Sequence, residues 1–460
     1  MSESLWTSAE AAAATGGRAG AFTASGVSID TRTLARGDLF VALKGEARDG
    51  HEFVGDALTR GAAAAMVSRT DEAWPKEKLL IVADTLEGLR GLGAASRARS
   101  KAKIAAVTGS AGKTSTKETL KLALSQQGET HVSAASYNNH WGVPLSLALM
   151  PRKTKFAVFE IGMNHPGEIT PLVKLARPHA AIITTVEAVH LEYFKSVEEI
   201  ADAKSEIFLG LEPEGVAVIN RDNPHYQRMR GAAERAGVKT VWTFGEHAQA
   251  DARLIEARLE AAGSQVKASI FGETYDYRFG APGKHFVMNS LGILLVAKAL
   301  GADVRRAAAS FARAGALKGR GERLEIKTAR GAFTVIDESY NANPASMAAA
   351  IAVLGNAGGR RIAVLGDMLE LGPRAGEFHA NLVRDLERAK IDLVFASGPM
   401  MAQLWAALPE KMRGAYGQSS ADIAPLVAAE AKPGDAVMIK GSFGSRMSAV
   451  VEALKDLQAG

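Results

Sequence analysis

Lys113 and Thr114 follow the glycine-containing stretch Thr108-Gly109-Ser110-Ala111-Gly112 and precede Ser115, and this run carries the most specific chemistry in the chain. Glycines at 109 and 112 let successive backbone N–H groups turn inward around a phosphate. Lys113 is long enough to reach terminal phosphoryl oxygens, and the Thr114 hydroxyl is a hard oxygen ligand for Mg²⁺. The apolar run Ile104 to Val107 precedes the loop, and a helical pattern through Leu120, Leu122 and Leu124 follows it, so the positive end of a helix faces the same point. One position departs from the usual G-x-x-x-x-G-K-[ST]: Val107 stands where the first glycine belongs. Residues 108–115 are expected to hold the phosphates of a nucleoside triphosphate.

Other residues could join that chemistry. Glu160 closes the apolar run Phe156–Phe159, and a carboxylate at a strand end beside a phosphate loop can take Mg²⁺ directly or through water; helix capping or solvation is the alternative. His190, past the run Ala181–Val186, could supply imidazole to a second metal, although Mg²⁺ prefers oxygen and a satisfied loop histidine is the plainer reading. His165 and His179 have weaker claims. Lys204 has Ile200 and Ala201 at i−4 and i−3, so no same-face helical ion pair accounts for it; a solvated lysine in the field of Glu199, Asp202 and Glu206 is the ordinary alternative. Asn138 and Asn139, in the segment YNNHWGVP, could reach phosphate or substrate oxygens or simply shape a turn. The segment DESYNANP, Asp337 to Pro344, follows a strand and opens a helix, where its short polar residues could cap that helix or bind a ribose and an incoming amine. Lys440-Gly441-Ser442, also after a strand, combines a cation, a glycine and a helix start, as a carboxylate site would.

These residues need a scaffold of strands ending at one edge. The first hundred residues carry short strand-like runs (Leu39–Leu43, Ala64–Val67, Leu79–Val82) and a helical pattern from Leu86 to Arg99, and the charged stretch Arg97 to Lys103 reads as a linker. From Ile104 onward, fully apolar runs alternate with helical stretches: Ile104–Val107, Phe156–Ile161, Ala181–Val186 and Val216–Asn220. That pattern predicts a mainly parallel sheet covered on both faces. Residues 239–280 read instead as alternating strands and turns, and helix returns over Asn289 to Leu300. Near Gly315 a further α/β unit begins, with strands Phe333–Ile336, Arg361–Leu365, Leu393–Ala396 and Ala436–Ile439. Two such units facing one another would leave a cleft between their strand ends. The expected fold class is α/β with three domains, 1–99, 100–314 and 315–460.

The 460-residue composition is that of an ordinary globular protein, with 47% hydrophobic and 23% charged residues. A net charge of +5 from scattered Lys and Arg argues against nucleic acid and suits small polyanionic ligands. There are no cysteines, so neither disulfides nor thiolate metal sites exist, in keeping with a reducing compartment. The N-terminal residues lack a basic n-region and carry Glu3 and Glu10, unlike a signal peptide. The longest apolar candidate, Leu291 to Leu300, contains Lys298 and is too short to span a bilayer. No membrane insertion, a cytoplasmic location and a monomer are expected.

Taken in order, SIDTRTLARGDLFVALKGEARDGHEF, TGSAGKTSTKE, SYNNHWGVPLSL, EIGMNHPGEI, HLE…AKSEIF, DESYNANPASM, LGDMLELG and KGSFGSRM resemble the Mur ligase family, ATP-dependent amide-bond ligases of peptidoglycan precursor synthesis. The resemblance implies an N-terminal UDP-binding domain, a central P-loop ATPase domain with a parallel sheet and a C-terminal Rossmann-like domain. It further implies that ATP phosphorylates the terminal carboxylate of UDP-MurNAc-tripeptide, that D-Ala-D-Ala attacks the acyl phosphate through its amine, and that ADP and phosphate leave. Carried over by position, Lys113 would bind the β/γ-phosphates, Thr114 and Glu160 a first Mg²⁺, and His190 a second. Lys204 matches the lysine that is carbamylated in several members, a modification that turns a cation into a carboxylate-like ligand for Mg²⁺. Asn289 would contact adenine and Glu338 would lie near the ribose. Asp30 and Arg32 fall in the UDP-binding segment, Asn138 and Asn139 would line the reaction site, and Asn341, Lys440 and Ser442 are candidates for D-Ala-D-Ala.

Two positions depart from the family pattern. Phe286 follows His285 where many members show Asn, and it cannot hydrogen-bond. Glu338 stands where many carry Asp, which lengthens its reach. A sister ligase adding a single amino acid, a folylpolyglutamate synthase-like enzyme, and a nucleotide-dependent regulatory module remain the alternatives.

Overall fold

The computed structural model describes residues 4–45, 48–134, 136–260 and 262–458. Its central sheet has nine strands, and the strand Lys103–Thr108 runs parallel between Phe156–Glu160 and Ala180–Ile183. Chain order reverses across this strand, which makes its carboxyl end the crevice where open α/β sheets bind ligands. The apolar run that precedes the phosphate loop explains the placement. Ala105 and Val107 face one core, Ile104 and Ala106 the other, and all four are fully buried. Helices Lys113–Ser125 and Lys284–Ala299 cover the first face, while Ile169–Ala176 and Val197–Ser205 cover the second. Beyond Thr240–Gly245 the sheet continues through Ala252–Glu260, Gly263–Ile270 and Glu273–Phe279, the last two pairings antiparallel.

The N-terminal residues build a five-stranded sheet in which Gly26–Ser28, Asp38–Val41, Ala64–Val67 and Leu79–Ile81 are parallel and Arg18–Ala19 closes one edge antiparallel. The C-terminal residues build a six-stranded sheet with Ala436–Lys440 parallel between Gly331–Glu338 and Arg361–Gly366. Here too alternate residues divide between two cores: Ala363 and Leu365 on one side, Ile362 and Val364 on the other.

Two local expectations are corrected. Arg97 is not in a linker: helix Thr85–Arg99 carries it into the protein, where its guanidinium donates to the carbonyls of Ala176 and Arg177 and to Glu212. The strand expected to run to Val186 stops at Ile183, because the Thr184 and Ser110 hydroxyls divert residues 184–187 into bracing the phosphate loop. Short or amphipathic strands such as Thr130–Val132 and Glu322–Thr328 carry no continuous apolar run and were not anticipated. Among the described residues, no helix is long and apolar enough to cross a membrane.

Candidate active site

The phosphate loop is fixed by close backbone contacts. Gly109 has φ +151, and a Cβ there would lie 1.9 Å from Thr184 Oγ1; Gly112 has φ +79, and a Cβ there would lie 2.5 Å from the Asn289 amide nitrogen. Thr184 Oγ1 donates to Ala111 O at 2.5 Å, and Ser110 N donates to Thr185 O at 2.9 Å. The Ser110 hydroxyl exchanges hydrogen bonds with the Glu187 backbone, and Ser115 Oγ donates to Gly112 O. Thr108, fully buried at the strand end, has no partner for its hydroxyl among the described residues. Lys113 Nζ folds back onto Gly109 O at 2.7 Å, and burial pushes its pKa below the usual lysine value. A phosphate entering the loop would offer this ammonium better acceptors than one carbonyl.

Beside the loop, Thr114, Glu160 and Asn138 meet. Thr114 Oγ1 donates to Glu160 Oε2 at 2.8 Å, and Asn138 Nδ2 donates to Glu160 Oε1 at 2.8 Å. Glu160 is 1% exposed, so both of its oxygens are oriented by protein donors. A Cβ on Gly162 would lie 2.9 Å from the Asn138 side chain, so the position after Ile161 must be glycine for Asn138 to reach in. Asn139 acts on the backbone instead. Its Oδ1 accepts from Gly142 N and starts helix Gly142–Ala148, which packs on the N-terminal helix Thr85–Arg99.

Lys204 is 1% exposed, not solvated, and its amine has no hydrogen bond or ion pair among the described residues. Burial, with the Lys113 charge adding to it, pushes its pKa well below the ordinary 10.5. The three acids that surround it in sequence point elsewhere: Asp202 pairs with Arg228, Glu199 accepts from Lys195 N, and Glu206 accepts from Gly167 N and Thr170. His190 Nδ1 lies 2.5 Å from Glu370 Oε2 of the C-terminal domain. The other histidines are accounted for. His179 Nδ1 accepts from Ile104 N, and burial lowers its pKa to about 4; His165 pairs with Glu168 at the surface. No group of three His, Asp or Glu side chains able to hold a metal occurs among the described residues.

In the C-terminal domain the candidates are largely committed to one another. Glu338 and Lys440 are cross-strand neighbours, and Lys440 Nζ, 2% exposed, lies 3.2 Å from Glu338 Oε2 and 2.9 Å from Asn341 O. The extra methylene of Glu338 serves this pair. Ser442 Oγ donates to Ala342 O and accepts from Leu369 N. Asn341 stays exposed. Asn343 caps helix Pro344–Gly355 with a reciprocal Ser346 bond and also reaches Ser110 O across the cleft at 3.4 Å. Tyr340 O–H donates to Ser136 Oγ at 3.0 Å, just ahead of Asn138. Phe286 belongs to the core, stacked 5.7 Å from Phe279. A cavity of about 390 Å³ lies against Phe286, Ser115, Thr119 and Leu317. Asp30 and Arg32 form a forked pair on an exposed turn, Arg32 being 85% exposed.

Arg320 was missed. It lies between Gly319 (φ +70) and Gly321 (φ +93), in a turn that Asp337 grips through the N–H groups of both glycines, by Oδ2 and backbone O. Its guanidinium stacks 4.2 Å from the Tyr340 ring centre, and its charge is felt at Lys113. An arginine bracketed by two glycines was the available sequence signal.

A phosphate loop, an acid at the next strand end, a buried lysine and a second α/β domain closing over them define an ATP-type ligase architecture. Family models match successive parts of the chain: "Mur ligase family, catalytic domain" over residues 23–96, "Mur ligase middle domain" over 107–297 and "Mur ligase, glutamate ligase domain" over 322–443. The chain belongs to the Mur ligase family. It is 35% identical to the UDP-N-acetylmuramoyl-tripeptide–D-alanyl-D-alanine ligase of Escherichia coli, over 94% of both chains. In structure it is similar to a MurF of Acinetobacter baumannii (TM-score 0.87, 31% identity, covering 98% of this chain and 99% of that one). It is also similar to a MurF ligase of Thermotoga maritima in complex with ADP (TM-score 0.79, 26% identity, covering 94% and 98%).

Proposed function

We propose that this protein joins D-alanyl-D-alanine to UDP-N-acetylmuramoyl-tripeptide with conversion of ATP to ADP and phosphate, forming UDP-MurNAc-pentapeptide in peptidoglycan precursor synthesis. The observation that carries the reading is the Thr114–Glu160–Asn138 chain set against the phosphate loop, with Asn343 and Tyr340 of the C-terminal domain reaching across to it. It is supported by the full-length likeness to ligases of that name.

A carboxylate resists amines because oxide is a poor leaving group. Attack of the tripeptide carboxylate oxygen on the γ-phosphorus makes an acyl phosphate and releases ADP; attack of the dipeptide amine on the acyl carbon then makes the amide and releases phosphate. Lys113 and Arg320 are the cations placed to offset charge on the transferred oxygens. Asn289, poised over Gly112, and the Phe286 cavity are assigned to the adenine side. Asp30 and Arg32 are assigned to the UDP end, and exposed Asn341 to the dipeptide.

The donor set also fits Mg²⁺: one hydroxyl and one oriented carboxylate leave the remaining positions to phosphate oxygens and water. Thr114 and Glu160 would hold that ion, with His190 and Lys204 toward a second. When bound, Mg²⁺ neutralises phosphoryl charge. Lys204 suits carbamylation because burial lowers its pKa and so favours the neutral amine, the form that adds to CO₂. Closure of the C-terminal domain would keep water from the acyl phosphate. The test is ADP release over a matrix of acceptors. Release is expected only with UDP-MurNAc-tripeptide and D-Ala-D-Ala both present, and equal turnover with a single free amino acid would overturn the assignment in favour of a sister ligase.

A further inference from the structure

The carboxylate that touches His190 comes from another domain, on the segment LGDMLELG, to which the reaction as described assigns no role. The approach is backbone to backbone. Glu192 N donates to Glu370 O at 3.4 Å, and a Cβ on Gly372 would come within 3.0 Å of Leu191 O. His190 (φ +55) and Glu370 (φ +61) both occupy the left-handed region, which residues bearing a Cβ adopt rarely and keep where surrounding contacts impose it. The segment is also firmly anchored. Met368 and Leu371 are buried in the C-terminal core, Met368 N donates to His379 Nε2, and Leu369 N donates to Ser442 Oγ. Glu370 is thus presented on a rigid turn, and Ser442 gains a role as one of its supports.

We propose that Glu370 is a positioning residue for the ligation reaction: it fixes the His190 imidazole with the proton on Nδ1 and Nε2 as the free acceptor, and it does so only when the C-terminal domain sits against the central one. The inference rests on the ligase reading above. An ionised carboxylate can only accept, so Nδ1 must be the donor in this 2.5 Å contact. An imidazole lacking such a partner distributes between tautomers and ring orientations, and a carboxylate behind it removes that freedom. Because the two partners lie in different domains, the contact links domain docking to the geometry of His190.

The test is a double-mutant cycle on the full-length protein. Glu370→Ala is expected to lower kcat about 10- to 100-fold, with each KM changed by no more than about twofold. Glu370→Gln, which keeps an acceptor oxygen, should recover most of the loss. In a His190→Ala background, Glu370→Ala should have no further effect, because it acts through the ring that is gone. Multiplying losses, or a raised KM for one substrate with kcat intact, would overturn the proposal. Nitrogen-15 NMR of histidine-labelled protein without ligands supplies a readout apart from turnover. His190 should be the Nδ1-protonated tautomer in the wild type and a mixture in Glu370→Ala, and an Nε2-protonated wild-type ring would overturn it. If the wild type releases no ADP, the ligase reading falls, while the tautomer measurement still decides the Glu370 contact.

Discussion

The central and C-terminal sheets both present polar residues at the carboxyl ends of parallel strands, yet they use them differently. At the end of Lys103–Thr108 the amines have weak partners: Lys113 rests on one carbonyl, and Lys204 has neither hydrogen bond nor ion pair among the described residues. At the end of Ala436–Lys440 the cation is already matched, Lys440 to Glu338 and to Asn341 O. Buried charge without a partner is unfavourable unless something else supplies one. The central amines thus leave room for an incoming anion, whereas Lys440 already has protein partners.

Substitutions can break or sharpen this contrast. Lys113→Ala should lower turnover about 10³-fold while circular dichroism and Tm stay near wild type, since the side chain holds little but Gly109 O. Lys204→Met should also abolish most turnover but raise stability, by about 2–4 °C in Tm near pH 7 without CO₂. The sign follows from linkage. The unfolded chain keeps the Lys204 proton up to its ordinary 10.5, whereas the folded chain releases it well below that value. Unfolding therefore takes up a proton inside that window, and wild-type stability rises with pH across it; the Met variant should lose that slope. Lys440→Met should do the reverse, destabilising by about 3 kcal/mol in denaturant titration because Glu338 is left unpaired, with Glu338→Gln added to it restoring most of the loss. The smallest effect belongs to Arg32→Ala: a KM for the UDP-substrate raised about 5- to 10-fold, with kcat and Tm unchanged, because the side chain is almost wholly exposed.

The parts of the fold that local pattern controls were legible. Continuous apolar runs located the central strands of both large sheets, and Gly109, Gly112, Lys113 and Thr114 located the phosphate loop, because each depends on residues adjacent in the chain. Edge strands such as Glu322–Thr328 were not legible, since one solvated face removes the apolar run. Partnerships across domains were illegible for another reason. Nothing near Glu370 in sequence indicates His190, and nothing near Arg320 indicates Lys113. The protein partners of Lys440 and Ser442, Glu338 and Leu369 N, likewise emerge only once the strands are paired.

The central claim is that phosphate is transferred to the tripeptide carboxylate at the Lys113 loop before the amide forms. The direct measurement is isotope transfer: UDP-MurNAc-tripeptide carrying ¹⁸O in its terminal carboxylate is converted with ATP and D-Ala-D-Ala, and the released inorganic phosphate is analysed by mass. One ¹⁸O per phosphate is expected, because the acyl oxygen attached to phosphorus leaves with it. Phosphate free of the label would contradict the account.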